Sequence, residues 1–295
     1  PLHIKALPEG MVVPPKTMIL NAVHTDPRFP WLPDYLEPIL EKTWAGCTVA
    51  TYSREFKKML MKWWGLNGTI NDIVFKLHGF GDRSTMSNTS SAYTGAAHLI
   101  NFMGTDTFQA TKFIQKYYYG VLPLAHSVPA SEHLITMLWG KSKQLDLFKH
   151  LLLTYPGYIH SSVTDTWDHF KAISDDYKKL EPEIIKNNNT GGSLVQRPDT
   201  DIEEFVTLFE LLFETFGTTN NRKGFKVSAL GIKLLCGSSV SEDSADKLLR
   251  AMHHKGISID NIVFGMGGNL DQNHKRDDCM FAFKGNNAII NGVDT

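Results

Sequence analysis

One unit repeats along the second half of the chain, and it constrains the fold more than any other feature: a short apolar run, a polar loop, then an amphipathic helix. Residues 158–163 lead to Asp165 and a helix predicted from about Thr166. Residues 193–196 lead to Arg197-Pro198-Asp199 and a helix over 201–216, closed by Gly217. Residues 232–236 lead to Gly237-Ser238-Ser239 and a further helix. That helix has Ser241 as its N-cap, Glu242 and Asp243 in its first turn, and an apolar stripe of Ala245, Leu248, Leu249 and Met252. Residues 259–264 lead to Gly265-Met266-Gly267-Gly268-Asn269. Strand, loop and helix in repetition imply a parallel α/β sheet or barrel, and in such folds the loops at the carboxyl ends of the strands build the site.

The first thirty residues differ. They hold six of the 13 prolines and a short extended run at 18–23, which reads as a β-rich piece. From Trp31 to Leu66 the pattern turns helical, with Tyr35, Ile39 and Leu40, then Phe56, Met59, Leu60 and Trp63, at helical spacing. Residues 187–193, three asparagines and two glycines among them, read as a polar loop.

Composition narrows the class. The 295 residues are 42% hydrophobic and 21% charged, with a net charge of −1, which excludes a disordered chain or a coiled coil. So balanced a charge gives no footing for nucleic acid or a polybasic membrane contact. Three scattered cysteines (Cys47, Cys236, Cys279) make neither a disulfide framework nor a zinc motif, and a reducing, cytoplasmic compartment is the expectation. No apolar run is long enough for a transmembrane helix and no signal-peptide pattern opens the chain. Beginning at Pro1, it reads as a processed chain or a piece of a longer one.

Several constellations carry chemistry. The glycines of 265–268 would let backbone N–H groups close on a phosphate, with Arg276 for a bidentate contact; the plainer reading is a tight turn. The motif is neither GxGxxG nor Walker A. Arg197 and Asp199 flank a rigid Pro198, suiting a ribose or phosphate, or else a surface ion pair. Asp165, at the neighbouring strand end, would complete a two-carboxylate Mg²⁺ site or an Asx turn. In Ser127-Val128-Pro129-Ala130-Ser131-Glu132-His133, Pro129 reads as a helix start. His133 then lies in the first turn, where the dipole favours its neutral form, or it simply belongs to a solvated helix start. Phe80, between two glycines in 76–83, reads as a stacking platform with Arg83 beside it, or as a buried turn aromatic; Asp106 is a strand-end carboxylate or a cap. Thr190-Gly191-Gly192-Ser193 looks like the substrate loop of the common phosphoribosyltransferases but lacks its two upstream acids.

Taken together, segments 3–10, 51–55, 76–83, 101–107, 127–133, 197–199 and 264–268 match, in order, a known set. The sequence resembles the nicotinamide phosphoribosyltransferases, a type II phosphoribosyltransferase family. The resemblance implies an irregular parallel α/β barrel over 31–277 and part of a β-rich domain from 1–30 and 278–295. It implies transfer of the phosphoribosyl group of PRPP to nicotinamide for NAD salvage, with Mg²⁺ and with ATP as co-substrate, in a cytoplasmic homodimer with its site at the subunit interface.

By position, Phe80 would stack on nicotinamide, Asp106 would take its carboxamide and Arg83 would meet PRPP phosphates. Arg197 and Asp199 would hold the ribose and ring side, with Ser127, Ser161, Gly237 and Ser238 also lining the substrates. Gly267, Gly268 and Arg276 would hold the 5′-phosphate, with Lys284 near it. Asp165 and Asp199 would hold the metal, and His133, supported by Glu132, would be phosphorylated by ATP. Three positions depart from the family: Gly237-Ser238 stands where it has Gly-Asp, Thr200-Asp201 where it has Ser-Gly, and Asn269 where it has a third glycine. Family members are also longer at both ends. A carboxylate at Asp106 argues against the acidic substrates nicotinate and quinolinate. Ser238 and the missing ends would suit a catalytically impaired homologue or fragment that binds a ligand.

Overall fold

The structure, a computed structural model, describes residues 1–119 and 123–294. Thr295, the end of the expected terminal β-rich piece, lies outside them.

The elements in chain order are β1 (Leu2–Ala6), β2 (Leu20–His24), α1 (Leu32–Leu40), α2 (Trp44–Asn67), β3 (Leu77–Gly79), α3 (Asn88–His98), β4 (Gly104–Thr105), α4 (Phe108–Tyr118), α5 (His133–Trp139) and α6 (Gln144–Thr154). There follow β5 (Ile159–Val163), α7 (His169–Lys171), a π-helical turn (Ala172–Asp176), α8 (Tyr177–Lys179), α9 (Glu181–Asn189), β6 (Ser193–Arg197), α10 (Phe205–Phe216), β7 (Thr218–Asn220), β8 (Lys226–Ser228), β9 (Lys233–Cys236), α11 (Glu242–His254), β10 (Ile262–Met266), α12 (Gly268–Asp271), β11 (Ile289–Ile290) and β12 (Val293–Asp294).

Six strands form one parallel sheet in the order β4-β3-β10-β9-β6-β5. The segment between α4 and α5 closes it. His126 makes a parallel bridge to Gly104 at one edge, and Ala130 makes one to Ser161 at the other. Thr105 N–H donates to His126 O at 3.0 Å, while Ser161 N–H donates to Pro129 O at 2.8 Å. The expected irregular parallel barrel is therefore present, its last stave an extended segment rather than a regular strand. Pro129 lies in that stave and does not start a helix; with no N–H of its own it offers only its carbonyl. Short antiparallel hairpins, β1–β2 and β11–β12, lie near the two ends of the chain.

Helical spacing fixes which faces are buried. Phe205, Leu208, Phe209, Leu212 and Phe216 of α10 are buried, as are Phe56, Leu60 and Trp63 of α2 and Ala245, Leu248, Leu249 and Met252 of α11. Ser241 caps α11 by accepting from Ser244 N–H at 3.2 Å. Lys76, fully buried before β3, donates to Ile259 O at 3.0 Å and Ile262 O at 2.9 Å and pairs with Asp72 at 3.4 Å. Burial lowers its pKa to about 8, yet its donors pin the start of β10 beside β3.

Four expectations need correction. The helix after Asp165 begins at His169, not Thr166, because the Asp168 side chain caps it through Lys171 N–H at 3.0 Å. The first turn of the 201–216 helix is 3₁₀, over Ile202–Glu204. In place of a loop over 187–193, α9 runs to Asn189, and Asn187 is buried, accepting from Gly157 N–H at 2.8 Å. α1 forms as expected, but Tyr35 and Ile39 on its stripe are 71% and 63% exposed, so this chain leaves that stripe largely uncovered.

Candidate active site

Every strand of the closed sheet delivers a chemically distinctive residue at its carboxyl end. Phe80 follows β3, Asp106 follows β4, and Glu132 and His133 follow the closing stave. Asp165 follows β5, Arg197 ends β6 with Asp199 just beyond it, Gly237 and Ser238 follow β9, and Gly267 and Gly268 follow β10. Groups scattered over nearly 190 residues thus meet at one end of the barrel.

Two side-chain contacts tie the closing stave to β6 and β5 across this ring. Arg197 grips Glu132 through both nitrogens, Nη1 to Oε1 at 3.0 Å and Nη2 to Oε2 at 2.8 Å. This hydrogen-bonded pairing holds the Glu132 carboxyl below its usual range, helped by the charges of Arg197, His133 and Arg83. Beside it, His133 Nε2 lies 3.2 Å from Asp165 Oδ2. The sequence neighbour Glu132 was expected to support His133; the structure gives that contact to Asp165 and commits Glu132 to Arg197. Ser161 shares a sheet face with Val163, the register partner of Arg197, and is buried below this pair.

The glycines make room for Phe80. A Cβ on Gly265 would lie 1.9 Å from Phe80 Cε2, and one on Gly237 would lie 3.9 Å away. Half-buried Phe80 is thus laid across the ends of β10 and β9, one flank on backbone. Phe80 N–H donates to Met266 O at 2.8 Å. Gly267 and Gly268 are half-buried under Ser84, whose Cβ is 3.5 Å from where a Gly268 Cβ would sit. Ser84 escaped the sequence reading although it adjoins Arg83 in the same turn. Exposed Asp106 accepts from Ser127 Oγ at 2.5 Å.

Not all expected residues reach the ring. Arg276 is exposed and forms its ion pairs with Glu41 at 3.1 Å and Asp277 at 3.2 Å. Lys284 is exposed in the irregular segment beyond it. Sequence reasoning also passed over Asp271, a buried carboxylate one turn past Gly267.

Among the described residues, no three His, Cys, Asp or Glu side chains converge to hold a metal ion by themselves. Mg²⁺ is ordinarily held by one or two carboxylates plus phosphates and water. Asp165 keeps its buried Oδ1 free of any hydrogen-bond partner while Oδ2 meets His133, and Asp199 is exposed. That donor set fits a metal brought in with a phosphorylated substrate.

The sequence profile of the nicotinate phosphoribosyltransferase (NAPRTase) family matches residues 75–293, the stretch that supplies the whole ring. The chain is 36% identical to a nicotinamide phosphoribosyltransferase of Xanthomonas campestris over 99% of its own length and 63% of that protein's. It is 32% identical to the Acinetobacter baylyi protein of the same name, over 99% of its length and 62% of that relative, and 28% identical to the Mycoplasma pneumoniae one, over 92% and 60%. It therefore spans less than two thirds of the length of these relatives. No helix among the described residues is long and apolar enough to cross a membrane. With this barrel, this ring of strand-end residues and a profile match over most of its length, the chain belongs to the nicotinate phosphoribosyltransferase family.

Proposed function

We propose that the chain transfers the phosphoribosyl group of PRPP to nicotinamide, giving nicotinamide mononucleotide and pyrophosphate in NAD salvage. The observation that carries this reading is the juxtaposition, at one barrel end, of an aromatic platform on glycines with the Arg197–Glu132 and His133–Asp165 pairs. Phe80 stacks the pyridine ring and the Asp106–Ser127 pair takes the carboxamide. Gly267 and Gly268 receive the 5′-phosphate on backbone N–H groups, while Arg83 and Arg197 face the remaining anionic oxygens. The C1–oxygen bond to pyrophosphate breaks as the pyridine nitrogen's lone pair forms the C1–N bond, so the chain's work is to orient both partners and offset charge. Mg²⁺, held by Asp165 and Asp199, would neutralise the departing pyrophosphate.

ATP is the proposed co-substrate, with His133 its phosphoryl acceptor and Asp165 orienting the ring. His133→Ala is then expected to abolish ATP hydrolysis while leaving a slower ATP-independent transfer; equal loss of both would assign His133 a purely structural role. Residues 1–30 and 278–295 form part of a second, β-rich domain in this reading. The active form is a homodimer, its partner covering exposed Leu134, Met137 and Leu138 on the helix that starts at His133. The free thiols suit the cytoplasm.

A second reading, a ligand-binding homologue without turnover, rests on Ser238, a hydroxyl at the β9 end where the family has a carboxylate. Calorimetry tests the shared premise. The chain should bind PRPP with Mg²⁺ present, and nicotinamide should bind more tightly once an unreactive PRPP analogue is in place. No heat from PRPP at millimolar concentration would defeat both readings.

A further inference from the structure

Among the described residues, Asp271 is an anomalous buried carboxyl. It is 4% exposed, and neither carboxyl oxygen makes a hydrogen bond of ordinary geometry, the neighbouring Thr94 hydroxyl donating instead to Ser90 O at 2.9 Å. It ends the short helix that leaves Gly267-Gly268, and its own N–H reaches back to Gly267 O at 3.3 Å. Its carboxyl lies on the backbone of Gly81, where an added Cβ would be 1.8 Å from Oδ2 and 2.6 Å from Cγ. Gly81 has an ordinary φ of −84°, so it is a glycine for space and not for conformation. The turn that carries Phe80 and Arg83 is thus seated directly on a carboxyl rooted in the Gly267–Gly268 loop.

We propose that Asp271 is a positioning residue that couples phosphate capture at the Gly267–Gly268 loop to the Phe80–Arg83 turn. The inference rests on the reading of that loop as the 5′-phosphate site and deepens it.

The physical argument is electrostatic. A bare carboxylate is strongly disfavoured when buried without a partner, so the group stays neutral where it can. Burial pushes its pKa up to about 7, assisted by the charge of Asp82 from the same turn and opposed by the hydroxyl of Thr94 from α3. Of the other elements packed here, α2 brings Tyr52 onto His274, three residues past Asp271, and His274 faces Asp278. As the neutral acid, Asp271 tolerates an anion on the loop one turn away. Once ionised it places a like charge behind that anion and beside the turn that must close over it. Phosphate affinity should therefore fall as pH rises through neutrality, and the loss should be removed by an uncharged isostere.

The test measures the dissociation constant of ribose 5-phosphate for the whole chain and for Asp271→Asn at pH 6 and pH 8.5. The ratio of the two constants is taken at each pH, so that ionisation of the ligand cancels. The expected ratio is near one at pH 6 and about tenfold in favour of Asp271→Asn at pH 8.5, the size of a like-charge penalty at roughly 8–10 Å in a partly screened site. A purely structural role would shift both ratios equally, and a ratio that does not change with pH overturns the inference. If wild type binds no ribose 5-phosphate at either pH, the phosphate-site reading fails and this inference with it. Gly81→Ala supplies an independent check that does not depend on the asparagine variant folding. It should weaken binding in wild type but much less in an Asp271→Ala background; equal weakening in both would show that the two residues are not coupled.

Discussion

Arg197→Ala is expected to lower kcat/KM for the proposed transfer by about 10³-fold, the effect of removing a preorganised charged donor from a developing anionic centre. The substitution acts twice. It deletes the fork that would face substrate oxygens, and it strands the Glu132 carboxylate, held at 2.8 and 3.0 Å in the parent, next to His133. Arg197→Lys separates the two. It keeps a charge near Glu132 but cannot reproduce the bidentate geometry, so it should recover roughly a tenth to a hundredth of the activity. Both are measured by steady-state kinetics with PRPP varied. A loss below fivefold in Arg197→Ala would mean that the Arg197–Glu132 pair is only a strut between β6 and the closing stave.

Asp106→Asn is expected to change substrate choice. Nicotinamide ends in an NH₂ that donates, nicotinate in a carboxylate that only accepts. A carboxylate at 106 accepts from the amide and repels the acid; an asparagine offers a donor instead. Asp106 is exposed and already takes a hydrogen bond from Ser127 at 2.5 Å, so solvent screens part of the repulsion. The preference for nicotinamide over nicotinate should fall by about 10–100-fold, at the screened end of the like-charge effect. The readout is kcat/KM for each substrate in both proteins. An unchanged ratio would show that Asp106 does not face the ring.

The regular part of this fold was legible because its pattern is local. The Ser241 cap and the stripe of Ala245, Leu248, Leu249 and Met252 announced α11, and the strand-end placement of Asp165, Arg197 and Gly267 followed from the repeat. The closing stave was not legible. His126 and Ala130 are held by hydrogen bonds to strands far away in sequence, and no periodicity marks such a segment. The partner of His133 was misassigned for a geometric reason. Adjacent residues at a helix start do not face one another, so Glu132 turns to Arg197 and Asp165 comes from the next strand end. Asn187 reads as a loop residue by composition, yet it is buried because its amide satisfies the Gly157 turn. Asp271 gave no signal, since a single acid in a four-residue helix reads as solvated until the fold buries it.

The most direct measurement of the central claim is product formation. The chain is incubated with nicotinamide, PRPP, Mg²⁺ and ATP, and nicotinamide mononucleotide and pyrophosphate are quantified by chromatography. The account predicts both products in equal amounts, made by wild type and almost absent in Arg197→Ala. Nicotinamide left unconverted by a folded wild-type chain that binds PRPP would contradict it.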